Sequence, residues 1–159
     1  MKILCWNVRG FNAPDKHSAV LKKVRRLHLD IIAIIETRVA EANSVGILTK
    51  QFSQLQNMNN YPKSPNGRVW LLWKEGLKIT KVEDGKHFLK VKVWGVIPFM
   101  LMVVYSPNKE VERSALYKDL LSHKDSLPMV VFGDFNAVLS PRETSNLDVM
   151  NPSMVEFQT

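Results

Sequence analysis

Cysteine is almost absent from this sequence. Its 159 residues hold one, Cys5, which excludes an intrachain disulfide and suits a reducing compartment. No apolar run approaches the roughly 20 residues of a membrane-spanning helix. Residues 1–11 also lack the apolar core of a secretory leader. A soluble, intracellular protein without membrane contact is the expectation. Internal repeats, low-complexity tracts and linker-like stretches are missing too, so residues 1–159 read as a single domain. Acidic residues are in deficit, 15 against 22 Lys and Arg, for a formal charge of +7. That imbalance favours an anionic partner, a nucleic acid or a phosphate-rich substrate. With 45% hydrophobic and 23% charged residues, the chain has the apolar content for a packed core.

What is present is a succession of strand and helix patterns. "KILCWNV" (residues 2–8) is a short apolar run, followed by the loop-like "RGFNAPD". From Lys16 to Leu29 the apolar positions Val20, Leu21, Val24 and Leu27 recur at helical spacing. Lys22, Lys23, Arg25 and Arg26 lie between them, as on a solvated helix face. "DIIAIIE" then reads as a buried strand, and strand–helix–strand predicts a parallel βαβ unit. Residues 44–52 suggest a short helix capped by Asn43, and "NNYPKSPNG" a turn-rich loop. "RVWLLWK", "LKITKVE", "HFLKVKVWG" and "PFMLMVVYS" predict an antiparallel meander. Residues 109–124 look helical, with Val111, Ala115, Leu116 and Leu120 on one face, and "LPMVVFGDFN" is another buried strand. From Ser140 the chain is polar, with a hint of helix only in its last residues. The class is mixed α/β.

Four of the apolar strand candidates end in polar residues: Asn7, Glu36, Tyr105, and the pair Asp134 and Asn136. Sites in α/β sheets gather where strands end, because the rigid sheet fixes the loop residues there. Two carboxylates with carboxamides beside them would suit a hard cation such as Mg²⁺, which takes oxygen ligands and keeps several waters. In a basic protein such an ion points to phosphoryl chemistry. Each residue also has an ordinary reading. A strand-terminal Asn forms turns, Glu36 marks a strand meeting solvent, Tyr105 is a half-buried aromatic, and Gly-Asp-x-Asn is a turn. Their order along one chain carries more than any of them singly.

"WNVRG", "IIETR", "VYSPN" and "GDFNAVLSPRE", in that order, resemble the endonuclease/exonuclease/phosphatase superfamily. Within it, "WNVRGFN", "VWLLWK" and "GDFNAVLSPRE" resemble the apurinic-endonuclease-like domains of plant LINE-type retrotransposons. The resemblance implies a four-layer α/β sandwich, two mixed sheets flanked by helices. It also implies divalent-metal-dependent cleavage of phosphodiester bonds in DNA with Mg²⁺ or Mn²⁺, and action in the nucleus. Glu36 would be the principal metal ligand with Asn7 beside it, and Tyr105 would touch the scissile phosphate. Asp134 would align or activate the attacking water, and Asn136 would orient phosphate or nucleophile. Arg9, Arg38, Lys63 and Arg68 are the candidates for nucleic-acid contact.

The sequence also departs from the pattern. Family members carry a late Ser-Asp-His stretch whose His contacts the phosphate. Here His17, His28, His87 and His123 all precede "GDFN", and none follows an Asp; all four read as surface positions. The expectation is an incomplete domain lacking its C-terminal part, with impaired cleavage. Its exposed sheet would then be open to association with another chain. A relative acting on a nucleotide or lipid phosphate fits the basic balance and the retroelement-like motifs less well. A non-catalytic nucleic-acid-binding fragment is the alternative reading.

Overall fold

The structure, a computed structural model, describes residues 1–138. The polar segment from Ser140 and the helix suggested at its end lie outside the described residues. The elements begin β1 (Ile3–Asn7), α1 (Pro14–Leu27), β2 (Ile31–Ile35), α2 (Glu41–Gln51), β3 (Leu55–Asn59) and β4 (Val69–Lys74). They continue β5 (Ile79–Asp84), β6 (Phe88–Val93), β7 (Phe99–Tyr105), α3 (Glu110–Ser122) and β8 (Met129–Asp134). Two compact units result, Met1–Tyr105 with Asp125–Gly133, and Ser106–Lys124 with the described residues from Asp134.

The first unit holds two four-stranded sheets, ordered β1-β2-β4-β3 and β5-β6-β7-β8. β1 and β2 pair in parallel, as the βαβ reading requires, while β4 pairs antiparallel with both β2 and β3. β5, β6 and β7 form an antiparallel meander. β8 starts beside the start of β7, with Met100 N–H donating to Pro128 O at 2.8 Å, so those two strands run in the same direction. Both sheets are therefore mixed, as expected.

The side-chain period of two distributes the core. Ile31, Ala33 and Ile35 of β2 and Val69, Leu71 and Trp73 of β4 meet Leu89, Val91, Leu101 and Val103 of the second sheet. Ile32, Ile34, Trp70 and Leu72 point the other way, against Val20 of α1 and Leu48 and Phe52 at α2. A helix layer, a sheet and a second sheet thus share two apolar cores. In the second unit, α3 buries Arg113, Leu116 and Tyr117.

Several sequence expectations are corrected. β4 leaves the predicted meander for the first sheet, because its run is apolar on both faces and needs cover on both. β3, too polar to read as a strand, lines that sheet's edge. α2 starts at Glu41 after Ala40, and Asn43 lies within its first turn rather than capping it. The inner face of α3 is shifted from the one expected: Leu116 is buried as foreseen, but Val111 is 84% exposed, and Arg113 and Tyr117 are buried instead. β8 is not a buried strand, since Val130 and Val131 are 46% and 39% exposed at the last position of their sheet. His17 is buried one turn before Val20, donating from Nε2 to Phe11 O at 2.7 Å. His87 and His123 are partly buried, and only His28 is exposed.

Asp30 ties three strands together at the end opposite the candidate residues. Its carboxylate accepts Lys2 N–H at 2.6 Å before β1 and pairs with the Lys74 ammonium at the end of β4. The Lys74 ammonium first, and the Lys2 N–H second, hold the Asp30 carboxyl below the usual carboxylate range. A lowered folded-state value stabilises the fold above that range, and the contribution disappears as pH falls through it. Asp30→Asn should therefore lower stability at neutral pH and flatten the loss of stability between about pH 5 and 2. Urea midpoints measured across that window check it.

Candidate active site

The parallel register sets Asn7 opposite Ile35, one residue before Glu36. The two chains stay joined past the strands. Val8 N–H donates to Ile35 O at 3.1 Å, Gly10 N–H to Glu36 O at 2.8 Å, and Phe11 N–H to Thr37 O at 2.6 Å. Asn7 Oδ1 accepts Arg9 N–H at 2.9 Å, closing a turn on its own loop. Glu36 is 6% exposed, and its Oε1 accepts from the guanidinium of Arg38, whose own side chain is 62% exposed. Arg9, Glu36 and Arg38 have φ of 46°, 56° and 51°. Left-handed backbone at such residues costs on the order of 1 kcal/mol or more each, and persists where surrounding structure enforces it, often at functional sites.

β4 supplies the other wall. Its first residue, Val69, pairs with Ile35, so Arg68 enters beside Glu36. The turn leading to it is anchored by Asn60, a fully buried residue. Asn60 Oδ1 accepts Val69 N–H at 3.1 Å, and its Nδ2 donates to Gly85 O and Lys86 O at 3.1 and 3.3 Å. The Tyr61 hydroxyl donates to Val39 O and accepts from Trp70 Nε1, both at 3.0 Å, and burial pushes its pKa up. Arg68 lies over the ring of Tyr105, 5.5 Å from its centroid, a cation–π contact that links the two sheets. Arg38, Ala40, Asn66 and Arg68 line an open cleft of about 440 Å³. Lys63 is exposed on the same turn.

Asp134 and Asn136 lie in the second unit, fixed by their own contacts. Ser106 N–H donates to Asp134 O at 2.8 Å, Asp134 Oδ1 accepts Asn136 N–H at 3.0 Å, and Asn136 Nδ2 donates back to Ser106 O. Asn136 takes φ 48°, which asparagine tolerates. Tyr117 braces the turn, its hydroxyl donating to Phe135 O at 2.7 Å. The preceding Gly133 belongs to the first unit and has φ 154°; a Cβ there would run into the backbone carbonyl of Val104.

The first unit thus gathers Asn7, Glu36 and Arg38 at one pair of strand ends, and joins Arg68 to Tyr105. The buried Glu36 carboxylate and the Asn7 carboxamide are hard oxygen donors. They fit a divalent cation that takes few protein ligands and keeps its waters. Among the described residues no three His, Cys, Asp or Glu side chains cluster, which is no obstacle to such an ion. Arg38 on Glu36 shows that the carboxylate already attracts a cation. Sequence reasoning missed Asn60 and Tyr61, which set the turn carrying Arg68. The only signal was an apolar Tyr amid turn formers.

A model of the endonuclease/exonuclease/phosphatase family matches residues 4–151. Among solved structures, the chain is similar to the endonuclease domain of TRAS1, a telomere-specific non-LTR retrotransposon, with TM-score 0.63 and 11% identity over 86% of this chain and 59% of that one. It is also similar to D. rerio TDP2 complexed with a single-strand DNA product, TM-score 0.64 and 16% identity over 86% and 60% of the two chains. The human nocturnin catalytic domain with bound sulfate gives TM-score 0.56 and 16% identity over 84% and 62%. The chain thus spans about three fifths of the length of these structures. No curated protein matches its sequence.

Gly67 has φ 62°, and a Cβ there would meet Val39 O and Thr37 Oγ1, the latter at 2.7 Å. Gly67→Ala should destabilise the fold by at least about 1–3 kcal/mol, read as a lowered urea midpoint, because the Arg68 turn must lift from the loop that follows Glu36.

Proposed function

The chain belongs to the endonuclease/exonuclease/phosphatase family, and from that premise we propose that it hydrolyses phosphodiester bonds in DNA with Mg²⁺ or Mn²⁺. The observation that carries the reading is Glu36: a buried carboxylate on left-handed backbone, beside Asn7 in parallel register. Glu36 and Asn7 would hold the ion. When bound, it would neutralise charge on the phosphate oxygens. Tyr105 and Arg68 would receive the phosphate, with Arg38 lining the same cleft. Asp134 orients or deprotonates the attacking water, and its bond to Asn136 N–H holds the carboxylate at one angle. Arg9 and Lys63 would add contacts to flanking phosphates. Similarity to a TDP2 chain solved with a DNA product and to a retrotransposon endonuclease domain supports the choice of DNA, and nuclear action goes with it.

Binding without cleavage is the second reading, favoured by the exposed cations Arg9, Arg38 and Lys63.

Nicking of supercoiled plasmid in Mg²⁺ tests the proposal. Glu36→Gln and Asp134→Asn should each reduce it on the order of 100-fold or more, and EDTA should abolish it. Salt-sensitive DNA binding by a folded chain that never nicks would favour the second reading.

A further inference from the structure

Lys16 stands outside the residues considered so far. From the first turn of α1, its ammonium donates to three consecutive backbone carbonyls: Val8 O at 2.7 Å, Gly10 O at 2.8 Å and Arg9 O at 3.2 Å. An ammonium has three donors, and all three are spent on this one loop. The N–H groups of the same loop face elsewhere. Those of Val8 and Gly10 donate to Ile35 O and Glu36 O, and that of Arg9 to Asn7 Oδ1. Three successive carbonyls converge because Arg9 takes left-handed backbone. Three converging carbonyl oxygens carry partial negative charge and favour a cation among them. Lys16 also lines, with Asn7, Arg9 and Val20, a cavity of about 270 Å³.

A lysine in a first helical turn ordinarily extends into water. This one is partly buried and closes the Asn7–Gly10 loop from the side that β2 does not reach. We propose that Lys16 is a positioning residue for the metal site, fixing the loop so that Asn7 and Glu36 present their oxygens together. The role rests on the proposed function, and it is exerted through the backbone, without contact to ion or substrate. Without the ammonium, two partly buried carbonyls lose their donor. The Gly10 N–H bond to Glu36 O then opens more readily, and the two ligands drift apart.

Mn²⁺ alone, titrated calorimetrically into the full chain, reads this without reference to catalysis. Wild type, Lys16→Met, Lys16→Arg and Glu36→Gln are compared, with Lys22→Met on the same helix as control. Amide hydrogen exchange at Gly10 and Phe11 is followed in parallel. Lys16→Met should bind Mn²⁺ about 10- to 100-fold more weakly, the loss usual when support behind a metal ligand is removed. It should also exchange those two amides at least about tenfold faster. Lys16→Arg, which keeps charge and donors, should recover most of the affinity, and Lys22→Met should match wild type. If Lys16→Met fails to fold, Lys16→Gln takes its place under the same criterion. Wild-type affinity in the Lys16 variant overturns the role of Lys16 and leaves the metal site standing. A wild type that binds no Mn²⁺ overturns the metal site, and the role of Lys16 with it.

Discussion

Burial of β2 on both faces is the constraint from which the rest follows. All five of its residues are buried, and four are isoleucines, each stabilising the fold by about 1.5–3 kcal/mol once removed from water. Such a strand cannot lie at a surface. It requires the second sheet on one side and helices on the other, and it requires paired strands on both edges. β1 and β4 supply those edges, and a one-residue slip of either would turn its side chains to the wrong core. The same register that satisfies the isoleucines therefore decides where Asn7, Glu36 and Arg68 stand. The site is a by-product of close packing one residue away.

This explains how a chain can share a fold with structures only 11–16% identical to it. The identities of buried side chains are interchangeable at fixed volume and pattern, so a fold can persist while its sequence diverges. Around the strand ends of the first sheet the electrostatics are lopsided. Among the described residues, the buried carboxylate of Glu36 pairs with Arg38, with Arg9 on the adjoining loop and Arg68 entering the neighbouring strand.

The parts legible from sequence were those governed by period. The change from apolar run to helical spacing and back located β1, α1 and β2 and gave their parallel sense. Strand-terminal polar residues pointed to Asn7, Glu36 and Tyr105, and the structure puts each of these at a strand end. Periodicity is silent about long-range partners, however. Nothing in "RVWLLWK" says whether its neighbour is β2 or the strand that follows it. "LQNMN" is too polar to announce β3, which is a strand only because β4 needs a partner. Asn is a residue type usually found at the surface and His is intermediate, so neither Asn60 nor His17 announces its burial. Their burial depends on carbonyls, Gly85 O and Phe11 O, brought within reach only after the chain has folded.

β8 joins its sheet alongside β7 in the same direction, and such a pairing needs a crossover, here made through α3. The chain must close that loop before any of the pairing is rewarded. During synthesis, β1 to β7 emerge and can form their contacts while β8 is still within the ribosome. Among the described residues, β8 is thus the last strand to join its sheet. A nascent or partly unfolded chain can therefore hold β1, β2 and β4, with Glu36 at the end of β2, before β8 has found its partner.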